Sequence, residues 1–435
     1  MRRREFINDA LRAGTAAAAS LLGERDSAAG AAAFAPFAPP EGPNKPVGIA
    51  RGIAPGRVAW AWNPDATSWE GDRGFWWEDA CNSQAAIDTM LSLALQSITR
   101  TKTDPQAWDA LFKDFNRRHG KGRRGYRTGE RIAIKFNLNN DHRYEANNNI
   151  NSSPHVMLAL VRQLVGQAGV PQSAVTFYDA VRRITPHTYD KCHGEFPQVS
   201  FVDGSGALPG RMKAVFQPDR ITYAVQMPRA GKGIAACAVE AAYLINIFIP
   251  KGHDVAGVTL SGKNHFGSID DREHTSINSK ARGYGSYNSL VELMGHNDLG
   301  GKTMLYIGDM LYGCYHSDPP PVKWKMAPFS DHWPSSLLVS QDGVACDSVA
   351  LDFLTSEFEP RAATKVDMSV CDNVLHEAAL ADDPPSKTVY APNRDGVRLG
   401  SLGVHEHWNN STEKKYTRNL GSGSGIELVF IDSRS

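Results

Sequence analysis

Arg131-Ile132-Ala133-Ile134-Lys135-Phe136-Asn137 reads as a strand that carries a lysine and ends in an amide. About twenty residues later a helix is expected from Pro154 to Gly169, with Ser153 as its N-cap and Gly169 as its C-cap. Val175-Thr176-Phe177-Tyr178-Asp179 then reads as a second strand, ending in a carboxylate. Strand, helix and strand in alternation predict an α/β fold: a mainly parallel sheet flanked by helices, with Rossmann-like layering.

The same rhythm continues outward. Tyr243-Leu244-Ile245-Asn246-Ile247-Phe248-Ile249 is a buried-strand run stopped by Pro250. Thr303–Ile307 and Ser336–Ser340 are two more strands, the second leading through Asp342 to a helix near Cys346–Ser356. Towards the N-terminus, Arg57-Val58-Ala59-Trp60-Ala61-Trp62 alternates like a strand, and 85–99 has the Ile, Met and Leu spacing of an amphipathic helix. No fixed-period repeat and no Gly-x-Gly-x-x-Gly or Walker-type loop occurs, so a nucleotide site has no support.

The chain has 435 residues, 41% hydrophobic and 22% charged, with a formal net charge of zero. That is ordinary globular composition, and no basic excess points to nucleic acid. The six cysteines (81, 192, 237, 314, 346 and 371) form no Cys-x-x-Cys pair, which argues against an iron-sulfur cluster or a Cys-rich zinc site. One or two disulfides remain open by this reading.

Arg3-Arg4-Glu5-Phe6-Ile7 fits a twin-arginine pattern. An Ala/Leu stretch follows to Leu22, and Ala31-Ala32-Ala33 suits cleavage. The expected organisation is a signal peptide over 1–33, a Pro-rich linker over 34–56 and one large α/β domain over 57–435. The protein is then expected to be carried by the twin-arginine export machinery to the periplasm or outside the cell, with no membrane anchor after processing. The alternative is a disordered tail.

Ligands in open α/β sheets bind at the carboxyl ends of strands. That rule places Lys135, Asn137, Asp179, Lys251, His253 and Asp309 at one edge. Pro250-Lys251-Gly252-His253-Asp254 and Lys263-Asn264-His265-Phe266-Gly267 form the densest polar segments. Lys251 and Lys263 suit anionic groups or electrostatic stabilisation, Asn264 suits orientation of a substrate, and His253 or His265 suits proton transfer near neutrality. The competing reading is a solvated basic loop. His405-Glu406-His407 places two imidazoles on one strand face about 7 Å apart, a pair that holds zinc, iron or manganese if a carboxylate joins. Asp309 and Asp347 are the candidate carboxylates; Asp342 suits a helix cap better. Trp60, Trp62, Trp69, Trp76 and Trp77 either stack on sugars or belong to the core. Asn147-Asn148-Asn149-Ile150-Asn151 lines a polar pocket or makes a turn.

Taken together, Ile134-Lys135-Phe136-Asn137, Ser153-Pro154-His155, Pro250-Lys251-Gly252-His253, Lys263-Asn264-His265-Phe266-Gly267, Gly308-Asp309 and Ser340-Gln341-Asp342 with Asp347 resemble the domain-of-unknown-function 362 family over roughly 130–360. Trp76-Trp77-Glu78-Asp79 and the His405–Asn409 tail are similar to its exported, twin-arginine branch. Two features depart from relatives: Pro250-Lys251-Gly252-His253 stands where many read K-x-K-x-H, and the cysteines of a ferredoxin-like domain are lacking. The resemblance implies a fold and a residue list, not a reaction.

The expected function is an exported enzyme acting on an anionic or polyhydroxylated small molecule or saccharide, by hydrolysis or by proton abstraction of lyase or racemase type. Lys135, Asn137, Asn264 and Asp179 would bind substrate; His253, His265, Lys263 and Lys251 would carry the chemistry. The cofactor expected is a divalent metal ion held by Asp309, Asp347, His405 and His407, with no nucleotide and no iron-sulfur cluster. The alternatives are a periplasmic binding protein for an anionic ligand and a redox protein.

Overall fold

The apolar runs assemble into one nine-stranded sheet. Its strands are β1 (Arg57–Trp62), β2 (Ile132–Phe136), β3 (Val175–Asp179), β4 (Ser200–Asp203), β5 (Arg211–Lys213), β6 (Tyr243–Phe248), β7 (Thr303–Met310), β8 (Ser336–Ser340) and β9 (Glu427–Asp432), in the order β9-β1-β8-β7-β6-β2-β3-β4-β5. β8 alone runs against the others. This computed structural model describes residues 40–139, 144–226, 230–253, 256–270, 283–316, 319–359 and 369–434. The expected signal peptide over 1–33 lies outside the described residues, as do Asn140 and Asp254.

The expected mainly parallel α/β layering is what forms. Parallel strands need crossover connections, and those connections cover both faces with apolar side chains. One face carries α1 (Gln84–Thr99), α2 (Asp104–Arg118) and α3 (Pro154–Arg162) over Ile132, Ile134 and Phe136 of β2. The other carries α4 (Gly343–Phe358) and α5 (Ser369–Ala379) over Ala133, Leu244 and Phe248. Alternation along β2 turns Lys135 to this second face with Ala133.

Local chemistry explains the helix limits. Ser83 caps α1 by accepting from the Ala86 N–H at 3.4 Å, and Arg100, in the left-handed region, ends it. Ile87, Met90, Leu91, Ala94, Leu95 and Ile98 make its buried stripe. Ser153 caps α3 as expected, but after Arg162 the helix widens into a π-turn over Gln163–Gln167 before Gly169 (φ +68°) stops it. The turn sets the Gln163 amide between Trp108 (3.0 Å) and Asp104 (2.7 Å).

Three readings of the sequence resolve in the structure. Trp60, Trp69 and Trp76 are core residues, at most 4% exposed, so they are not a sugar platform; Trp60 packs edge-on against Phe353 at 4.8 Å. The Asn147–Asn151 loop serves them: the Asn147 carbonyl accepts from Trp77 Nε1 at 2.9 Å and the Asn149 carbonyl from Trp76 Nε1 at 3.4 Å. All six cysteines are free thiols. Of the segment expected to be linker, residues 40–56 lie along the domain, Val47–Gly48 pairing antiparallel with Val404–His405.

Asp342 holds that packing together. Its Oδ1 caps α4 through the Ala345 N–H at 3.0 Å, while Oδ2 accepts from the N–H groups of Arg51 (2.8 Å) and Val404 (3.3 Å). Asp342→Ala removes the cap and leaves two buried N–H groups unpaired. The expected cost is about 2–4 kcal/mol, read as a lower urea midpoint; an unchanged midpoint contradicts the assignment.

Candidate functional site

β2 and β6 are neighbours, yet the chain leaves β2 towards β3 across one face and leaves β6 towards β7 across the other. A crevice opens at the carboxyl ends of strands where the order reverses in this way. Here it is a small pocket of about 50 Å³, partly open to solvent, and Lys135, Asn137, Asp179, His253, Lys263 and Asn264 all line it. Six of the eight residues expected to bind substrate or carry the chemistry therefore meet in one place. Arg182 and Asn139 complete the wall and were not foreseen.

The floor is a connected polar network. Lys135, fully buried, donates to Asp179 Oδ2 (2.9 Å), Asn264 Oδ1 (3.0 Å) and its neighbour's carbonyl, Phe136 O. Burial pulls its pKa down, against the pull of the Asp179 carboxylate. Asp179 Oδ1 accepts from the N–H groups of Val181 (3.1 Å) and Arg182 (2.9 Å). Lys251, also fully buried, donates to Asn137 Oδ1 at 2.9 Å, and Asn137 Nδ2 reaches Asn264 Oδ1 at 3.3 Å. Asn264 Nδ2 donates to Asn246 Oδ1 (2.7 Å) and to the Ile247 carbonyl (2.9 Å). Asn246, an amide inside an apolar strand, is a further member that sequence reading passed over.

Two roles expected from sequence shift. Lys251 is spent under the pocket rather than lining it. His265 lies behind the wall, 1% exposed, its Nε2 3.2 Å from Asn246 Nδ2. Burial first, then Lys135 and His296, lower its pKa to about 3. A neutral, sealed imidazole does not shuttle protons near neutrality; of the two histidines, His253 is the one that lines the pocket.

Gly267 closes the loop over the ion pair. A Cβ there would come within 2.6 Å of Asp179 Oδ2 and 2.7 Å of Lys135 Nζ, and its carbonyl accepts from the Ala180 N–H at 2.7 Å. Lys263 lies above the Phe266 ring at 4.5 Å.

Asp309 and Asp347 are turned to other work. Asp309 accepts from the N–H groups of Ser153 (2.6 Å) and Leu311 (3.3 Å), and burial raises its pKa to about 6. Asp347 accepts from the Ser261 N–H and hydroxyl (both 2.9 Å) and the Gly262 N–H (3.2 Å), anchoring the one-turn helix Ser261–Asn264; burial raises it to about 7. Neither joins His405. The carboxylate that does is Asp372 of α5, with His376 one turn on. Donor atoms of Asp372, His376 and His405 lie within 4.8 Å of one another, and such a buried group can hold a metal ion. His407 sits beside it, between Asp352 (2.6 Å) and Asp372 (2.9 Å). Burial opposes its charge, but the two carboxylates raise its pKa to about 10.

Two outcomes follow for the pocket. Asp179→Asn leaves the Lys135 ammonium without its counter-charge, an expected loss of about 3–5 kcal/mol in chemical unfolding; a loss under about 1 kcal/mol contradicts a buried ion pair. Imidazole nitrogen spectra between about pH 5 and pH 8 should show His265 neutral throughout, and a titration in that range would restore it as an acid/base candidate.

Among the described residues no helix is long and apolar enough to cross a membrane. No curated protein matches the chain. The family model described as "Domain of unknown function (DUF362)" matches residues 132–352, which run from β2 with Lys135 through the pocket loops to Asp347 and Asp352 of α4. The chain belongs to the DUF362 family.

Proposed function

We propose that the protein is an enzyme acting on a small anionic molecule, one bearing a carboxylate or phosphate, by acid/base chemistry of lyase, racemase or hydrolase type. The observation that carries this reading is the convergence of Lys135, Lys263, Arg182 and His253 with one carboxylate, Asp179, at the switch point of the sheet. Cationic side chains in a small, low-dielectric crevice favour an anion strongly. Lys135 uses its three hydrogens on Asp179, Asn264 and Phe136 O, so its task is to fix the amide and carboxylate that face the ligand. Lys263 and Arg182 supply the charge for the anionic group. His253, the imidazole that lines the pocket, carries the proton. Export by the twin-arginine route belongs to the same proposal and rests on Arg3-Arg4-Glu5-Phe6-Ile7. With Trp60, Trp69 and Trp76 buried in the core, a saccharide has less to recommend it than a compact acid.

Calorimetric titration with inorganic phosphate and with succinate tests the anion site. Lys263→Ala should weaken binding about ten- to a hundredfold, the value of one charge-assisted hydrogen bond. His253→Asn should leave that affinity nearly intact while abolishing solvent-deuterium exchange into a panel of small carboxylic acids. Equal affinities for wild type and Lys263→Ala would sink the anion site. Binding in the wild-type protein without exchange, and without hydrolysis of small phosphate and carboxylate esters, would leave a binding protein for an anionic ligand.

A further inference from the structure

Three histidines and three carboxylates meet between α4, α5, the Val404–His405 strand and the 40–56 segment, away from the pocket residues. Their hydrogen-bond inventory does not close with neutral rings. The Ser348 hydroxyl spends its one hydrogen on the Val344 carbonyl at 2.7 Å, so its 2.8 Å contact with His405 must be donated by the ring Nδ1–H. His405 Nε2 is then left with a lone pair, and it faces Asp372 Oδ1 at 3.1 Å, acceptor against acceptor. His376 repeats the problem. Its Nδ1 faces the Asp372 carbonyl at 2.9 Å and Oδ2 at 3.3 Å, while its Nε2 meets the Glu41 carboxylate. Asp372, His376 and His405 are each at most 2% exposed.

We infer that Asp372, His376 and His405 hold a divalent transition-metal ion of the zinc class, as a structural clasp on the C-terminal tail. Two imidazoles and a carboxylate are the donors such ions take. The ion's two charges offset the Asp372 carboxylate that would ligate it and the Glu41 carboxylate that meets the His376 ring. Filling the same contacts with protons alone would set two charged rings, His376 and His405, side by side with centroids 4.4 Å apart in a buried chamber. Like charges at that spacing, out of water, repel strongly. Glu41 and Ser348 serve as outer partners that orient the ligating rings. The ligands come from α5 and the tail, and the outer partners from the 40–56 segment and α4, so the ion ties four stretches of chain together. Its burial leaves no place for a substrate.

Elemental analysis of the full chain purified without chelator should find about one equivalent of metal. Its removal should lower the melting temperature, and added Zn²⁺ should restore it. Co²⁺ added to the metal-free wild-type protein should produce visible d–d absorption, a readout that needs no variant to fold. His376→Ala should lose the ion, whereas Lys263→Ala in the pocket should keep it. Metal-free wild-type protein that takes up neither Zn²⁺ nor Co²⁺ would overturn the inference, as would a His376→Ala/His405→Ala variant that binds as the wild type does.

Discussion

Lys135 and Asp179 form an almost fully buried ion pair at the floor of the pocket, with side chains 0% and 3% exposed. Taking such charges out of water costs several kcal/mol per ion, recovered only where geometry and further hydrogen bonds are good. That requirement arranges the neighbourhood. Asn264 must offer its carbonyl oxygen to the ammonium, Val181 and Arg182 must turn their N–H groups to the carboxylate, and residue 267 must lack a side chain. The loop Lys263-Asn264-His265-Phe266-Gly267 is held in one pose by these demands, and Lys263 is thereby delivered to the pocket mouth. A buried charge is weak as a stabiliser but strong as a specifier of position, which is what a site needs.

Much of the fold was legible because parallel strands buried on both faces leave near-continuous apolar runs, such as Tyr243–Phe248. Of the six residues that the strand-end rule puts at one edge, Lys135, Asn137, Asp179 and His253 line the pocket, and Lys251 and Asp309 do not. Depth was not legible. Lys251 and His265 stand two and one residues from pocket positions, and only three-dimensional packing decides that one lies below the floor and the other behind the wall. The sheet's single reversed strand, β8, also escaped, since a five-residue apolar strand carries no mark of its direction.

The histidine cluster shows a different limit. His405-Glu406-His407 is visible as a motif, but Asp309 and Asp347, the carboxylates the sequence offers it, are strand and helix residues that accept from backbone N–H groups instead. The true neighbour, Asp372, lies four residues before His376 on α5, an i,i+4 pair that puts both side chains on one helix face. That spacing was readable, and α2 was too, through Trp108, Leu111, Phe112 and Phe115. Glu41 was not, because nothing local ties residue 41 to residue 376.

The molecule thus separates two polar centres, an open one at the switch point of the sheet and a closed one under the tail. The open one is the centre proposed to receive an anion. Crystals soaked in selenate and measured at the selenium edge test it most directly. The account expects an anomalous peak within hydrogen-bond distance of Lys263 and Arg182, close to His253. Selenate bound only at other surfaces, with this pocket clear, would contradict it.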